Sequence, residues 1–145
     1  MKKAILTAQN VKLNVTVNSK EQAIRLAGEV LVENGYVNES YVESMLEREA
    51  LTTTFMGNFI AIPHGTDASK KAILASGISI LQVPNGVDFG NGNLAKVIFG
   101  IAGVGDEHLE LLSQIAILCS EVENVEKLVA AKSYEAIMAL FEEAV

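Results

Sequence analysis

The chain has 145 residues, half of them hydrophobic, with a formal net charge of −7, one cysteine and two histidines. This length and composition favour one domain spanning residues 1–145, with enough apolar material for a real core. The acidic balance argues against a nucleic-acid partner, because phosphate backbones are held mainly by clustered basic side chains and the largest cluster away from the start is Lys70-Lys71.

No stretch approaches the roughly 18 consecutive apolar residues of a membrane helix. The longest apolar run, Val97 to Val104, is interrupted by Gly100 and Gly103. The basic start, Met1-Lys2-Lys3, leads into an apolar stretch that soon breaks at Thr7, Gln9 and Asn10, too early for a secretory signal. A lone Cys119 excludes an internal disulfide. These features fit a soluble protein of a reducing cytoplasm, without direct membrane insertion.

Along the chain, Val11 to Val17 alternates apolar and polar residues, which predicts a half-buried strand near an edge. Ser19 with Gln22 three residues on forms a capping-box pattern for a helix whose apolar face is Ala23, Leu26, Ala27, Val30 and Leu31. Gly35 ends it. A second helix is expected from Glu39 to Glu49, with Val42, Met45 and Leu46 facing inward. Tyr41 and Arg48, seven residues apart, share one side of it two turns from each other.

Phe59 to Ile62 reads as a short strand whose pairing loosens at Pro63, which has no N–H to donate. His64-Gly65-Thr66 follows as a turn. A long strand is expected within Ile73 to Val83, a turn at Pro84-Asn85-Gly86, and a glycine-rich loop from Asp88 to Asn93. Ala95 to Val104 is apolar nearly throughout, as befits a central strand covered on both faces. Helices follow near Glu107–Glu121, Asn124–Ala131 and Ser133–Glu143. This order implies an α/β fold with a mixed sheet flanked by helices, and functional sites of such sheets gather at strand ends.

Both histidines fall at such junctions. Pro63 restricts the chain on one side of His64, and Gly65 permits close backbone passage on the other. A nucleophilic imidazole needs one bare nitrogen and its other nitrogen protonated, usually against a carbonyl, which a rigid turn beside a strand end can supply. His108 lies in the first turn of a helix, where free N–H groups favour an anion; Asp106 and Glu107 are read as helix caps. Arg48 offers the bidentate fork suited to phosphoryl groups, but also reads as an ordinary helix-end cation. Gly100, Gly103 and Gly105 resemble a dinucleotide fingerprint only loosely, and a tight turn explains them better. Cys119 falls in an apolar helical stripe. A zinc site from His64, Asp67, His108 and Cys119 lacks any closely spaced ligand pair.

The runs Tyr41-Val42-Glu43-Ser44-Met45-Leu46-Glu47-Arg48-Glu49, Gly57-Asn58-Phe59-Ile60-Ala61-Ile62-Pro63-His64-Gly65-Thr66 and Gly105-Asp106-Glu107-His108-Leu109 resemble the mannitol/fructose-type enzyme IIA of the bacterial phosphoenolpyruvate-dependent sugar phosphotransferase system. Gly35-Tyr36-Val37 and Gly86-Val87-Asp88-Phe89-Gly90 bring the mannitol branch nearest. Phe59 stands where the family commonly has a smaller residue.

The resemblance implies a phosphotransferase component with a phosphohistidine intermediate. His64 would accept phosphate from the histidine-containing phosphocarrier protein and pass it to a cysteine of the mannitol enzyme IIB, part of the membrane permease, for sugar uptake. His108 and Arg48 would stabilise the phosphoryl group. It further implies a mixed, mainly parallel five-stranded sheet with helices on both faces, a separate cytoplasmic IIA protein, and neither cofactor nor metal. Transfer between proteins calls for an exposed depression within a modest apolar patch. Two other readings remain open at this stage. One is a regulatory, nitrogen-type module of the same fold that controls a partner protein. The other is a metal- or nucleotide-dependent enzyme.

Overall fold

The structure is a computed structural model describing residues 4–144, so the basic start Met1-Lys2-Lys3 lies outside the described residues. Five strands, β1 (Val11–Lys12), β2 (Phe55–Gly57), β3 (Ile60–Ala61), β4 (Gly77–Asp88) and β5 (Leu94–Ala102), form one sheet in the order β1-β4-β5-β3-β2. The sheet is mixed, as expected. Its mainly parallel character is met at β1–β4 and β3–β5, whereas β4–β5 and β2–β3 are antiparallel.

Helices α1 (Lys20–Glu33) and α2 (Ser40–Leu51) cover one face. Helices α3 (Glu107–Cys119), α4 (Val122–Ala130) and α5 (Tyr134–Ala144) cover the other. The alternation of side chains along a strand divides the core accordingly. Leu81, Val83, Ile98 and Ala102 pack toward α1 and α2, while Ile78, Ile80, Val97, Phe99 and Ile101 pack toward α3 to α5. Each fully buried Val, Leu, Ile or Phe side chain among them contributes about 1.5–3 kcal/mol. Where α1 presses on the sheet the strands are thin. Ser79 Oγ donates to the Ala27 carbonyl at 2.8 Å, and a Cβ on Gly100 would strike Ser79 Oγ.

The first helix ends as its sequence predicts. Ser19 Oγ accepts from the Gln22 N–H at 3.1 Å, and Gln22 Oε1 accepts from the Asn18 N–H at 2.7 Å. At the far end Tyr36 N donates to Leu31 O and Gly35 N to Val32 O, with Gly35 at φ 79°, a Schellman closure.

Three expectations change. The strand expected over Val11–Val17 pairs only at Val11 and Lys12. Asn14 at φ 54° then turns the chain, and a further bond from Val15 N to Gln82 O keeps it beside β4. Pro84-Asn85-Gly86 is not a turn. β4 continues to Asp88 through an irregularity between Gln82 and Val87, because Pro84 drops a donor and Gly86 at φ 78° absorbs the extra residues without reversing the chain. Phe59 lies outside the short strand it was expected to start. With Asn58 it forms the β2–β3 turn, both residues at positive φ, and Asn58 Nδ2 donates to the Cys119 carbonyl at the end of α3.

Candidate active site at the Pro63-His64 turn

Past β3 the chain keeps hold of β5 by a narrow grip. Ile101 N donates to the Pro63 carbonyl at 3.0 Å, and His64 makes a single parallel bridge with Ile101. The loosening expected at Pro63 therefore falls where His64 leaves the sheet. The half-buried imidazole turns back on its own chain, with Nδ1 2.8 Å from the Ile62 carbonyl. A carbonyl oxygen only accepts, so Nδ1 carries the proton and Nε2 is left with its lone pair.

One stripe of α2 faces this turn. Tyr41 Oη accepts from the Gly65 N–H at 2.9 Å and donates to the Ile101 carbonyl at 2.7 Å. One turn on, Ser44 Oγ accepts from the Thr66 N–H at 2.9 Å. A further turn brings Arg48, whose Nη1 donates to the Thr52 carbonyl at 2.8 Å. The fit is tight enough that a Cβ on Gly65 would meet Tyr41 Cε1 and Ser69 Oγ, each at 2.5 Å. Glycine is needed there for close approach.

From the other side of the sheet end comes the start of α3. Gly103 lies flush on it, since a Cβ there would collide with the His108 backbone N. Ser76 Oγ accepts from Val104 N at 2.9 Å and donates to Glu107 Oε2 at 2.6 Å, fixing the loop before the helix. Lys70, from the 3-10 segment Asp67–Ala72, donates to the Gly105 carbonyl at 3.2 Å. His108 Nδ1 is buried without a hydrogen-bond partner among the described residues.

Arg48, His64 and His108, the three residues singled out in the sequence, thus line one open cavity of about 200 Å³. Asp67, Lys70 and Leu51 line it as well. Burial pushes the His64 imidazole below its ordinary value of 6.5. The Ile62 carbonyl opposes that shift, the charges of Arg48 and His108 add to it, and Asp67 opposes it. The site therefore presents a neutral nucleophilic ring beside cationic and hydrogen-bonding groups, an arrangement suited to receiving an anionic electrophile.

In the sequence Lys70 stands out only as part of a weak basic pair; its place in the cavity depends on the fold of 67–72. Cys119 is buried among Ile115, Leu118 and Val125 in the α3 core, where burial pushes its thiol up to about 12. It does not join His64, Asp67 and His108. Among the described residues no group of three or more such side chains is placed to hold a metal. The turn at Gly103 and Gly105 serves to bring α3 in close. Among the described residues no helix is long and apolar enough to cross a membrane.

Known proteins share this fold and sequence. Residues 4–144 match the family model described as phosphoenolpyruvate-dependent sugar phosphotransferase system, EIIA 2. The chain is 60% identical over 139 residues to the mannitol-specific phosphotransferase enzyme IIA component of Bacillus subtilis, covering 96% of this chain and 97% of that protein. The crystal structure of the mannitol IIA from Escherichia coli superposes with a TM-score of 0.88 at 38% identity, covering 94% of this chain and 98% of that one. A complex of the mannitol enzyme IIA with phosphorylated enzyme IIB from Escherichia coli matches with the same TM-score of 0.88 at 34% identity, covering 95% and 97%. The chain belongs to the type 2 enzyme IIA family of the phosphoenolpyruvate-dependent sugar phosphotransferase system and is a phosphotransferase component.

Proposed function

We propose that His64 is the phosphoryl acceptor of a mannitol-specific IIA, loaded by the histidine-containing phosphocarrier protein and unloaded onto a cysteine of the mannitol enzyme IIB in the cytoplasm. The observation that carries this reading is the hydrogen bond from His64 Nδ1 to the Ile62 carbonyl, which leaves Nε2 as the nucleophile in the cavity shared with Arg48 and His108.

In the first step the Nε2 lone pair attacks the phosphorus of the donor's phosphohistidine. The donor's P–N bond breaks as the new one forms, and its electron pair returns to the donor's imidazole. Nδ1 keeps its proton against the Ile62 carbonyl, so the phosphorylated ring is an imidazolium and a good leaving group. In the second step a cysteine thiolate of IIB attacks the phosphorus, and the electron pair of the breaking bond returns to Nε2. Such transfers depend on positioning and charge stabilisation. Arg48 and His108 supply the charge and the hydrogen bond for the phosphoryl oxygens.

Partners must dock and release in turn. Leu51, at 74% exposure, lines the cavity, and Val104 and Leu109, at 46% and 58%, flank the start of α3. This apolar rim supports brief recognition by two proteins. The B. subtilis relative named mannitol-specific and the E. coli IIA–phospho-IIB complex favour mannitol IIB as the acceptor.

The test is stepwise transfer with purified components. The phosphorylated chain is expected to lose its phosphate to mannitol IIB far faster than to IIB proteins of other sugars. Normal loading with no transfer to mannitol IIB would contradict the sugar-uptake role and favour a regulatory one.

A further inference from the structure

We infer that Tyr41 is a positioning residue for His64, its hydroxyl acting as a spacer inserted into the parallel ladder between the His64 turn and β5. The inference deepens the proposed role of His64 and rests on that reading.

In a parallel bridge between His64 and Ile101, two backbone bonds are called for. The Ile101 N–H bonds to the carbonyl of the residue before His64, and the Ile101 carbonyl receives the N–H of the residue after it. The first is present, from Ile101 N to Pro63 O at 3.0 Å. The second falls short of good hydrogen-bond geometry and is bridged by a side chain. The Gly65 N–H donates to Tyr41 Oη at 2.9 Å, and Tyr41 Oη donates onward to the Ile101 carbonyl at 2.7 Å. The hydroxyl uses its acceptor and donor capacities to stand where one direct bond would run. The chain is thereby held off β5 one residue after His64.

The hydroxyl is well suited to this. Tyr41 is 2% exposed, and burial pushes its phenol up to about 12, so it remains a donor at any physiological pH. Ser44, one helical turn along, receives the next amide, Thr66 N, at 2.9 Å. Two successive amides after the nucleophile are thus bound to side-chain oxygens of α2, the helix that also carries Arg48. Tyr41, Ser44 and Arg48 occupy one stripe, so the helix that sets the His64 turn also sets the arginine relative to it. The Nδ1 contact to Ile62 O spans only two residues, and its geometry depends on the torsions at Pro63 and His64, which lie between the two anchors.

Tyr41→Phe removes the spacer and leaves the ring. Three quantities are measured on wild type and variant: the single-turnover rate of loading from the phosphorylated phosphocarrier protein, the Kd for that protein, and the ¹⁵N shifts of His64, which report the Nδ1/Nε2 tautomer. The expected result is a loading rate lowered at least tenfold at an unchanged Kd, with the His64 ¹⁵N shifts moved toward a mixture of tautomers. Wild-type loading together with wild-type His64 shifts would overturn the inference. A loss of stability with both readouts unchanged would also overturn it, by reducing Tyr41 to a packing role. If the variant does not fold, hydrogen exchange in the wild type decides. A Gly65 amide protected as strongly as that of Ile101 supports the bridge, and one exchanging at the rate of an open loop refutes it. The ¹⁵N shifts and amide exchange need no phosphate, so they fail independently of the proposed role of His64; that role fails if wild-type His64 itself is not loaded.

Discussion

Glu49, on the buried side of α2 next to Arg48, receives both the N–H and the hydroxyl of Thr54, at 2.8 and 2.6 Å. Its other oxygen faces Lys20 Nζ at 3.5 Å. The Thr54 carbonyl in turn accepts from Ile62 N at 3.0 Å, and the Ile62 carbonyl holds His64 Nδ1. A carboxylate 4% exposed therefore stands three hydrogen-bonded steps behind the nucleophile.

Glu49→Ala strips two donors of Thr54 of their acceptor and leaves Lys20 without its partner. Stability is expected to fall by roughly 3 kcal/mol, read from urea unfolding. Glu49→Gln keeps an acceptor for Thr54 and is expected to lose only about 1 kcal/mol. Equal losses in the two variants would show that the Thr54 bonds do not matter.

The phosphoryl acceptor must be neutral, and His64 is held below its ordinary value of 6.5, chiefly by burial. Loading is therefore expected to hold to lower pH than an ordinary imidazole would allow and to fall at more acid pH, in step with an NMR titration of the His64 ring. The unfolded chain binds its proton at the higher value. Between the two values it holds more protons than the folded chain, so this ring's contribution to stability is present above 6.5 and is lost as pH falls through the folded value. Arg48 is among the groups that hold the ring down, so Arg48→Ala is expected to move its midpoint upward.

Arg48→Ala and His108→Ala each remove a group proposed to meet the phosphoryl oxygens. Each is expected to slow loading by about 10²-fold while leaving His64 as the labelled residue. Rapid-quench measurement of the labelled protein checks this. Wild-type rates in both variants would remove the two residues from the mechanism.

Gly65→Ala places a methyl group 2.5 Å from Tyr41 Cε1 and from Ser69 Oγ. The turn is expected to lift from α2, at a cost of about 1–3 kcal/mol in unfolding free energy. Loading should slow by about 10²-fold, because small misplacements at a reacting centre cost that much. Unchanged loading would mean that the turn's seat on α2 is not needed.

Much of this site was legible in the residues. The Ser19 cap, the closure at Gly35 and the Pro63-His64-Gly65 turn all depend on local chemistry, and all appear as read. So does the common face of Tyr41 and Arg48, which follows from helical spacing alone. What escaped depends on contacts distant in sequence. Thr52 to Gly57 shows no alternation, so β2 was invisible until β3 folded against it. Pro84-Asn85-Gly86 carries every local mark of a turn, yet pairing of Val87 and Asp88 with Ala95 and Leu94 carries the strand past it. The Tyr41 bridge and the Glu49–Thr54 clamp join α2 to segments met only in the folded chain, and no spacing announces them.

The most direct test of the account is phosphorylation of ¹⁵N-labelled protein with phosphoenolpyruvate, enzyme I and the phosphocarrier protein, followed by long-range proton–nitrogen correlation of the histidine rings. One phosphate is expected, on His64 Nε2, with none on His64→Ala. Phosphate on His64 Nδ1, or label surviving the loss of that side chain, would contradict it.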